Sequence, residues 1–419
     1  MSTPHRALIP PLILGVLALV SAVEPLSINM YLSGLPQLGR DLDLTQAGAQ
    51  LTLTFFLAGM AIGQLVTGPL SDARGRRGIF LTGVALLVLA TAASALATHA
   101  WMLFAARFLM GLAGGAAVVL ARAVAGDLAK GPELARVFSL LMLLGGAAPV
   151  IGPIVGGLVV DSVGWRGVFW VLVALNLLTA LAVWRWIPET LPAAERTSGG
   201  LRPLWLAVSG LLRDRAYVGY TLAFIFSFAT MFAYISASPF ILQEYYGFTP
   251  VQYALIFATN TSGMFVVALV NAKLVKKLGP LYLARIGNAV LLAAAGFLLA
   301  SALIDAPRPL ILAGLFVVVA SMGVNFANNS ALAISRAGAV TGSASAFMGS
   351  GQFVMAGMLS PLVGLAAGAG LSQPVAMTAV MVVTALIATA GLYSAARVRV
   401  SSRASCGNPS AGTPPGRAA

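Results

Sequence analysis

Charge is what this sequence most lacks. Only 9% of its 419 residues are Asp, Glu, Lys or Arg, where ordinary soluble domains carry roughly 25%. With 59% hydrophobic residues, too little polar surface remains to cover a water-facing exterior, which excludes a soluble globular chain. Cysteine is almost missing: Cys406 stands alone near the C-terminus, so no intrachain disulfide can form. His5 and His99 are the two histidines, and with one cysteine they cannot build a Cys/His metal cluster, so no metal site is expected. The 12 acids lie mostly in loops, which argues against the paired metal-binding carboxylates of a membrane-embedded enzyme; no catalytic residue is assigned. The net charge of +13 comes from basic residues in short gaps between apolar runs, with no aromatic-interleaved basic face, and nucleic acid is excluded as a partner.

What is present is a succession of apolar runs of about 20 residues, each long enough to cross a hydrocarbon layer of about 30 Å. They fall near 7–32, 46–69, 78–98, 101–125, 137–160, 165–187, 216–242, 250–272, 281–304, 309–333, 342–367 and 373–396. The first run continues past Tyr31, longer than the apolar core of a cleaved signal, and reads as a retained span. Backbone groups in lipid must be satisfied within their own segment, so these runs are helices, and runs such as Leu86 to Ala97 lack the alternation of a membrane barrel. The expected fold is an all-α membrane protein of 12 transmembrane helices, with the lipid bilayer as its solvent.

Placing the N-terminus in the cytoplasm puts all but four of the 25 Lys and Arg on the cytoplasmic side or its flanks, the exceptions being Arg40, Arg107, Arg166 and Arg308. The positive-inside rule therefore sets both termini inside. The longest polar interruption, Pro188 to Arg215, divides six spans from six, giving an N-terminal half at 1–187, a linker at 188–215, a C-terminal half at 216–396 and a disordered tail at 397–419. The halves repeat. Leu70, Asp72 and Gly75 match Leu274, Lys276 and Gly279 in position, and Pro153-Ile-Val-Gly156 parallels Pro361-Leu-Val-Gly364. Two six-helix halves related by an axis along the membrane normal are an architecture of secondary transporters.

Several motifs carry a family resemblance. Gly68-Pro-Leu-Ser-Asp72-Ala-Arg74-Gly75-Arg76-Arg77, between the second and third spans, is similar to a signature of the major facilitator superfamily. Arg107-Phe-Leu-Met-Gly111 in the fourth span resembles its arginine motif, and Gly146-Ala-Ala-Pro149-Val-Ile-Gly152-Pro153-Ile-Val-Gly156-Gly157 in the fifth resembles the motif of its drug exporters. Leu26-Ser-Ile-Asn29-Met-Tyr31-Leu32 and the stretch from Gly63 and Gln64 to Asp72 look like the Bcr/CflA (bicyclomycin/chloramphenicol resistance) subfamily of drug:proton antiporters. The resemblance runs from the first span to the twelfth. It implies a major facilitator fold in a bacterial inner membrane, multidrug efflux, a small-molecule drug and protons as partners, no cofactor beyond the proton gradient, and a monomer.

Candidate site residues follow from the residues and the resemblance together. Desolvating a charge costs several kcal/mol, so charges inside spans usually have a partner or a task. Glu24 and Arg107 are the two that lie well inside, whereas Arg122 is near enough to a helix end to reach water. Glu24 is the proton-carrier candidate, because burial disfavours its charged form, and Arg107 would bias that site or bind helix carbonyls. The subfamily usually keeps Asp where this sequence has Asn29. A drug cavity is expected from Tyr31, Asn29, Gln64, Phe232, Tyr234, Asn260 and Asn325. A conformational latch is expected at Gly68, Asp72, Arg76, Arg77 and Asp127, with Asp72 facing a helix N-terminus of the other half and the arginines meeting acids such as Asp127 or Glu133. Here Ala73 stands where the superfamily normally follows its Asp with Arg. Gly152, Pro153, Gly156 and Gly157 read as a hinge, since small residues allow close and soft packing. A metabolite symporter, a channel and a membrane enzyme are the competing readings; the fifth-span motif argues against the first, and the repeated halves against the second.

Overall fold

The computed structural model describes residues 10–196 and 201–405. Arg6, the linker glycines Gly199 and Gly200, Cys406 and Arg417 lie outside them. Among the described residues the chain is helical throughout its apolar runs: α1 (Pro11–Asn29), the short α2 (Leu35–Asp41), α3 (Gln46–Arg74), α4 (Arg76–Ala95), α5 (Ala100–Leu128) and α6 (Pro132–Trp186) form one half. After the linker helix α7 (Leu201–Leu211), α8 (Arg215–Phe240), α9 (Pro250–Leu278), α10 (Pro280–Leu303), α11 (Arg308–Ile334), α12 (Thr341–Gly368) and α13 (Gln373–Ser405) form the other. Among the described residues, eleven helical segments are long and apolar enough to cross a membrane. One of them, within α6, is two spans joined at Gly164, whose φ of 78° is strained for any residue with a Cβ. The chain thus crosses the bilayer twelve times in two six-helix halves.

Local chemistry sets the helix starts. Thr45 accepts the N–H of Gly48 ahead of α3, Asp214 accepts those of Ala216 and Tyr217 ahead of α8, and Thr249 with Gln252 closes a reciprocal capping box on α9. The turn at Gly164 is held by α2: Gln37 accepts the Trp165 N–H at 3.2 Å, and Asp41 accepts the Trp165 indole N–H at 2.8 Å. The repeat seen in sequence has a conformational counterpart, since Gly75 and Gly279 end α3 and α9 with φ of 96° and 77°.

Two departures from the sequence reading concern the segments outside the spans. The linker contains the helix α7, where Pro203 is tolerated because it sits in the first turn. The last helix runs to Ser405, beyond residue 397 where the disordered tail was expected to begin; no Gly or Pro interrupts the chain between Gly391 and Gly407.

Packing within each half relies on backbone contact. A Cβ on Gly59 or Gly63 of α3 would come within 2.1 or 2.3 Å of carbonyls of α5, and one on Gly323 of α11 within 2.4 Å of the Met264 carbonyl of α9. Small residues permit this approach where lipid offers no hydrophobic drive. The buried core has a telling shape. On the side of the 30–45 and 241–249 loops, hereafter the loop end, one cluster runs across both halves from Tyr31 and Phe169 to Phe232 and Phe257. Toward the opposite end, where the linker lies, the core is split: Leu17, Phe80 and Val183 belong to one cluster, Tyr217, Met348 and Leu392 to another.

Candidate functional site

Where the single core divides, a cavity of about 230 Å³ opens between the halves. Its wall is aromatic and sulfur-rich, with Phe228, Phe232, Phe257, Phe353, Met231 and Met264, and Pro149, Ile28, Ile235 and Val319 add aliphatic surface. Polar groups are few: Glu24, Asn29, Tyr234, Thr261 and Gln352. Phe228 stacks on Phe232 at 5.8 Å between centroids and meets Phe353 edge-on at 5.6 Å, so the aromatic wall is pre-arranged.

Glu24 lies one residue before Pro25, inside α1. It is half-buried, lines the cavity, and is the sole acid in that wall. Asn29 also reaches the wall, although its amide nitrogen donates back to the Pro25 carbonyl at 2.7 Å.

Arg107 sits elsewhere. Fully buried, it donates to the Ser27 carbonyl at 3.2 Å, one of the last-turn acceptors of α1 left without an intrahelical donor. Its guanidinium lies 4.2 Å from the Tyr31 ring centroid and 4.4 Å from that of Phe56, contacts worth about 2 kcal/mol each when desolvated. Arg107 therefore braces the end of α1 against α3. Arg107→Lys keeps the charge but loses the flat face that meets two rings. We expect it to insert and fold yet transport at least about tenfold more slowly, an added barrier of ~1.4 kcal/mol; transport at the wild-type rate would show that charge alone suffices.

The remaining cavity candidates divide by position. Phe232 and Tyr234 line the wall, and Asn260 stands behind it, donating to the Tyr234 hydroxyl at 2.9 Å. Tyr31 is buried beneath Arg107 and contacts the Thr52 hydroxyl at 3.2 Å. Gln64 is half-buried on α3, beside Gly349 of α12. Asn325 is turned into its own half, donating to the Gly287 carbonyl at 3.2 Å and accepting from Asn288 at 3.1 Å.

At the linker end, Arg76 pairs with Asp127 at 3.1 Å and with Asp72, so the partner the structure gives Asp72 is in its own half. Arg77 donates to the Trp184 carbonyl, and Gly68 lies beside Val119 of α5. Glu189 joins this group unannounced by the sequence. Both its oxygens cap the first turn of α4, accepting the N–H groups of Arg76 at 2.8 Å and Arg77 at 3.3 Å. Burial works against the Glu189 charge, but the N–H groups of Arg76, Leu191 and Arg77, with Arg196 nearby, outweigh it and hold the carboxyl below its usual value.

The α6 glycines differ among themselves. A Cβ on Gly152 would make ordinary contacts at 3.4 Å, one on Gly156 would fall 1.8 Å from the carbonyl of Met30, the residue that caps the end of α1, and one on Gly157 would meet the Pro250 carbonyl of the other half at 2.9 Å. Pro153 lies between them inside the helix.

Cross-half hydrogen bonds lie at the level of the cavity or toward the loop end. Gln50, fully buried and unremarked in sequence, donates to the Ser236 carbonyl at 3.1 Å and accepts the Gly364 N–H at 3.0 Å. Thr54 donates to the Gly357 carbonyl, Ser350 to that of Ala61 and Gln243 to that of Ser33. Arg40 and Glu244 form an exposed ion pair at 2.9 Å across the same end.

Comparison with known proteins decides the family. Residues 17–361 match the family model described as Major Facilitator Superfamily. The chain belongs to that superfamily. Its relatives within the superfamily include the uncharacterized MFS-type transporter YdgK of Bacillus subtilis, 33% identical over 93% of this chain and 95% of that protein. A bicyclomycin resistance protein homolog of Haemophilus influenzae is 30% identical over 83% and 87%, and the multidrug resistance protein MdtL of Escherichia coli 28% identical over 78% and 82%. Among solved structures, a D-xylose-proton symporter superposes with a TM-score of 0.73 at 16% identity, covering 90% of this chain and 96% of that one. A bacterial Spinster homolog in an inward-facing, unoccupied conformation gives 0.72 at 16% identity, covering 96% and 99%. These superpositions share the superfamily fold.

Proposed function

We propose that this chain exports small amphipathic drugs of the chloramphenicol or bicyclomycin type across a bacterial inner membrane, in exchange for protons, by alternating access. The observation that carries the reading is the cavity between the halves: aromatic, sulfur-rich, and provided with one carboxylate, Glu24. Such a wall takes up molecules that present an apolar face and make few directional demands. A sugar would need a dense set of hydrogen-bonding groups, which these few polar residues do not supply, so a metabolite symporter is the weaker alternative. The drug-resistance names of two relatives support the same side. With the linker and both termini placed in the cytoplasm, the joined core at the loop end and the divided core at the linker end correspond to a cavity waiting for a drug from inside. Protons supply the energy, no cofactor is required, and the working unit is a monomer.

Everted membrane vesicles test this. Chloramphenicol and bicyclomycin should accumulate when a proton gradient is imposed, and an uncoupler should release them. Accumulation that persists without the gradient, or the absence of any uptake, removes the proposal.

A further inference from the structure

The linker helix α7 presents an apolar edge that no part of the described protein covers. Val208 and Leu211 face inward, and Leu211 joins the buried cluster of Tyr217 and Tyr220 on α8 with Ala344 and Met348 on α12. On the flank of that packed face, Trp205 and Leu212 are 68% and 45% exposed, and Leu206, on the far side of the helix, is 61% exposed. A packed apolar face bordered by further exposed apolar side chains is unlike a solvated linker, and such patches mark protein or membrane interaction sites.

The location says what covers it. The chain leaves the bilayer at the end of α6, where Trp184 and Trp186 are exposed in the manner of an interfacial aromatic belt, and it re-enters with α8 at Arg215. α7 lies between these two crossings and is packed on the first turns of α12. Its C-terminal flank carries the exposed cations Arg213 and Arg215. Asp214 is the single acid from 201 to 215, and Arg336 already neutralises it at 2.9 Å. Burial opposes the charge of Asp214, but Arg336 and the N–H groups of Ala216 and Tyr217 keep it ionised below the usual aspartate range, so it stays with Arg336 rather than cancelling the flanking arginines.

We propose that α7 is seated in the bilayer surface, with Trp205 and Leu212 at the headgroup–acyl boundary and Arg213 and Arg215 on anionic phospholipid headgroups. An amphipathic helix with cations on its rim binds a lipid interface in this way. Because α7 rests on the linker end of α12, whose other end forms the seam with α3, an anionic leaflet holds one side of the seam in place. This coupling to transport rests on the alternating-access reading above; the lipid seat itself does not.

The test uses the full chain in nanodiscs and never measures transport. The fluorescence component lost in Trp205→Phe is followed with phospholipids brominated near the headgroup, either phosphatidylglycerol or phosphatidylcholine. Brominated phosphatidylglycerol should quench it, with a preference of about fivefold over phosphatidylcholine for each arginine engaged. Arg213→Gln combined with Arg215→Gln should erase the preference and leave apolar quenching in place. Equal quenching by both lipids in the unaltered chain would overturn the anionic site. Quenching by aqueous acrylamide but by neither lipid would overturn the bilayer seat and point to a protein partner. Trp205→Phe leaves the packed face of α7 untouched, and its unfolding transition checks that the fold is unchanged.

Discussion

Glu24→Gln is expected to abolish drug accumulation driven by a proton gradient while leaving the chain folded and able to exchange drug for drug. The exchange assay separates two functions that a simple uptake assay merges. Gln has the size and shape of Glu, so an apolar cavity wall should keep its packing, and the loss is confined to the group that can change charge. No other acid stands in that wall, which leaves no obvious substitute within reach of the drug. Asn29 cannot serve, since its amide does not titrate in any accessible range and already bonds to the Pro25 carbonyl. If gradient-driven uptake survives Glu24→Gln, protons are carried elsewhere and the coupling assignment fails. If drug exchange disappears as well, Glu24 is a binding group first and a proton carrier at most second.

Gly156→Leu is expected to be as damaging, for a different reason. Even the first carbon of a side chain would stand 1.8 Å from the Met30 carbonyl, against the 3.4 Å or more of ordinary contact. The obstacle is backbone and cannot rotate away, so α1 and α6 must separate and the end of α1 that Arg107 braces must shift. Overpacking of this kind costs about 1–3 kcal/mol even where neighbours yield. Gly152→Ala supplies the control, because its Cβ meets side chains at ordinary distance. We expect the Gly152 variant to keep its unfolding temperature and the Gly156 variant to lose both stability and transport. Normal transport by Gly156→Leu at normal expression would remove the hinge reading. A Gly152→Ala chain that is stable yet slow would strengthen it, since motion and not packing would then be impaired.

The number and placement of the spans were legible because hydropathy and length are one-dimensional properties. Even the division within α6 appears in sequence as the break between 160 and 165, around the Gly164 that turns the chain. The facing of each helix was far less legible. In water an amphipathic helix announces its buried side, whereas here lipid and protein interior are both apolar and the periodic signal vanishes. Phe232 and Tyr234 reach the cavity, yet Phe228, Phe257 and Phe353 do so equally, and nothing in composition separates them from lipid-facing Phe297 or Phe316. Amides were a better guide to burial than to cavity: Asn260 and Asn325 are buried as expected of groups that need partners, but they find those partners behind the wall or within their own half. Gln50 and Glu189 escaped notice because their roles depend on backbone groups of distant segments. Local sequence carries no mark of a carbonyl at Ser236 or an uncapped turn at Arg76.

The seam at the loop end has an energetic consequence. Apart from the exposed Arg40–Glu244 pair, the bonds described across it join a side chain to a backbone group, so their far partners survive almost any substitution. Five such bonds, counted over the loop end and the level of the cavity together, at about 0.6–1 kcal/mol each for hydrogen bonds between membrane helices and in proteins generally, amount to roughly 3–5 kcal/mol. That is close to the ~5.5 kcal/mol needed to carry a two-state equilibrium from 1:99 to 99:1. The hydrogen-bonded part of the seal is thus comparable in size to what one bound molecule can supply through its preference for one state over the other. On the alternating-access reading proposed above, bonds of this total strength are ones that a single occupant can reverse.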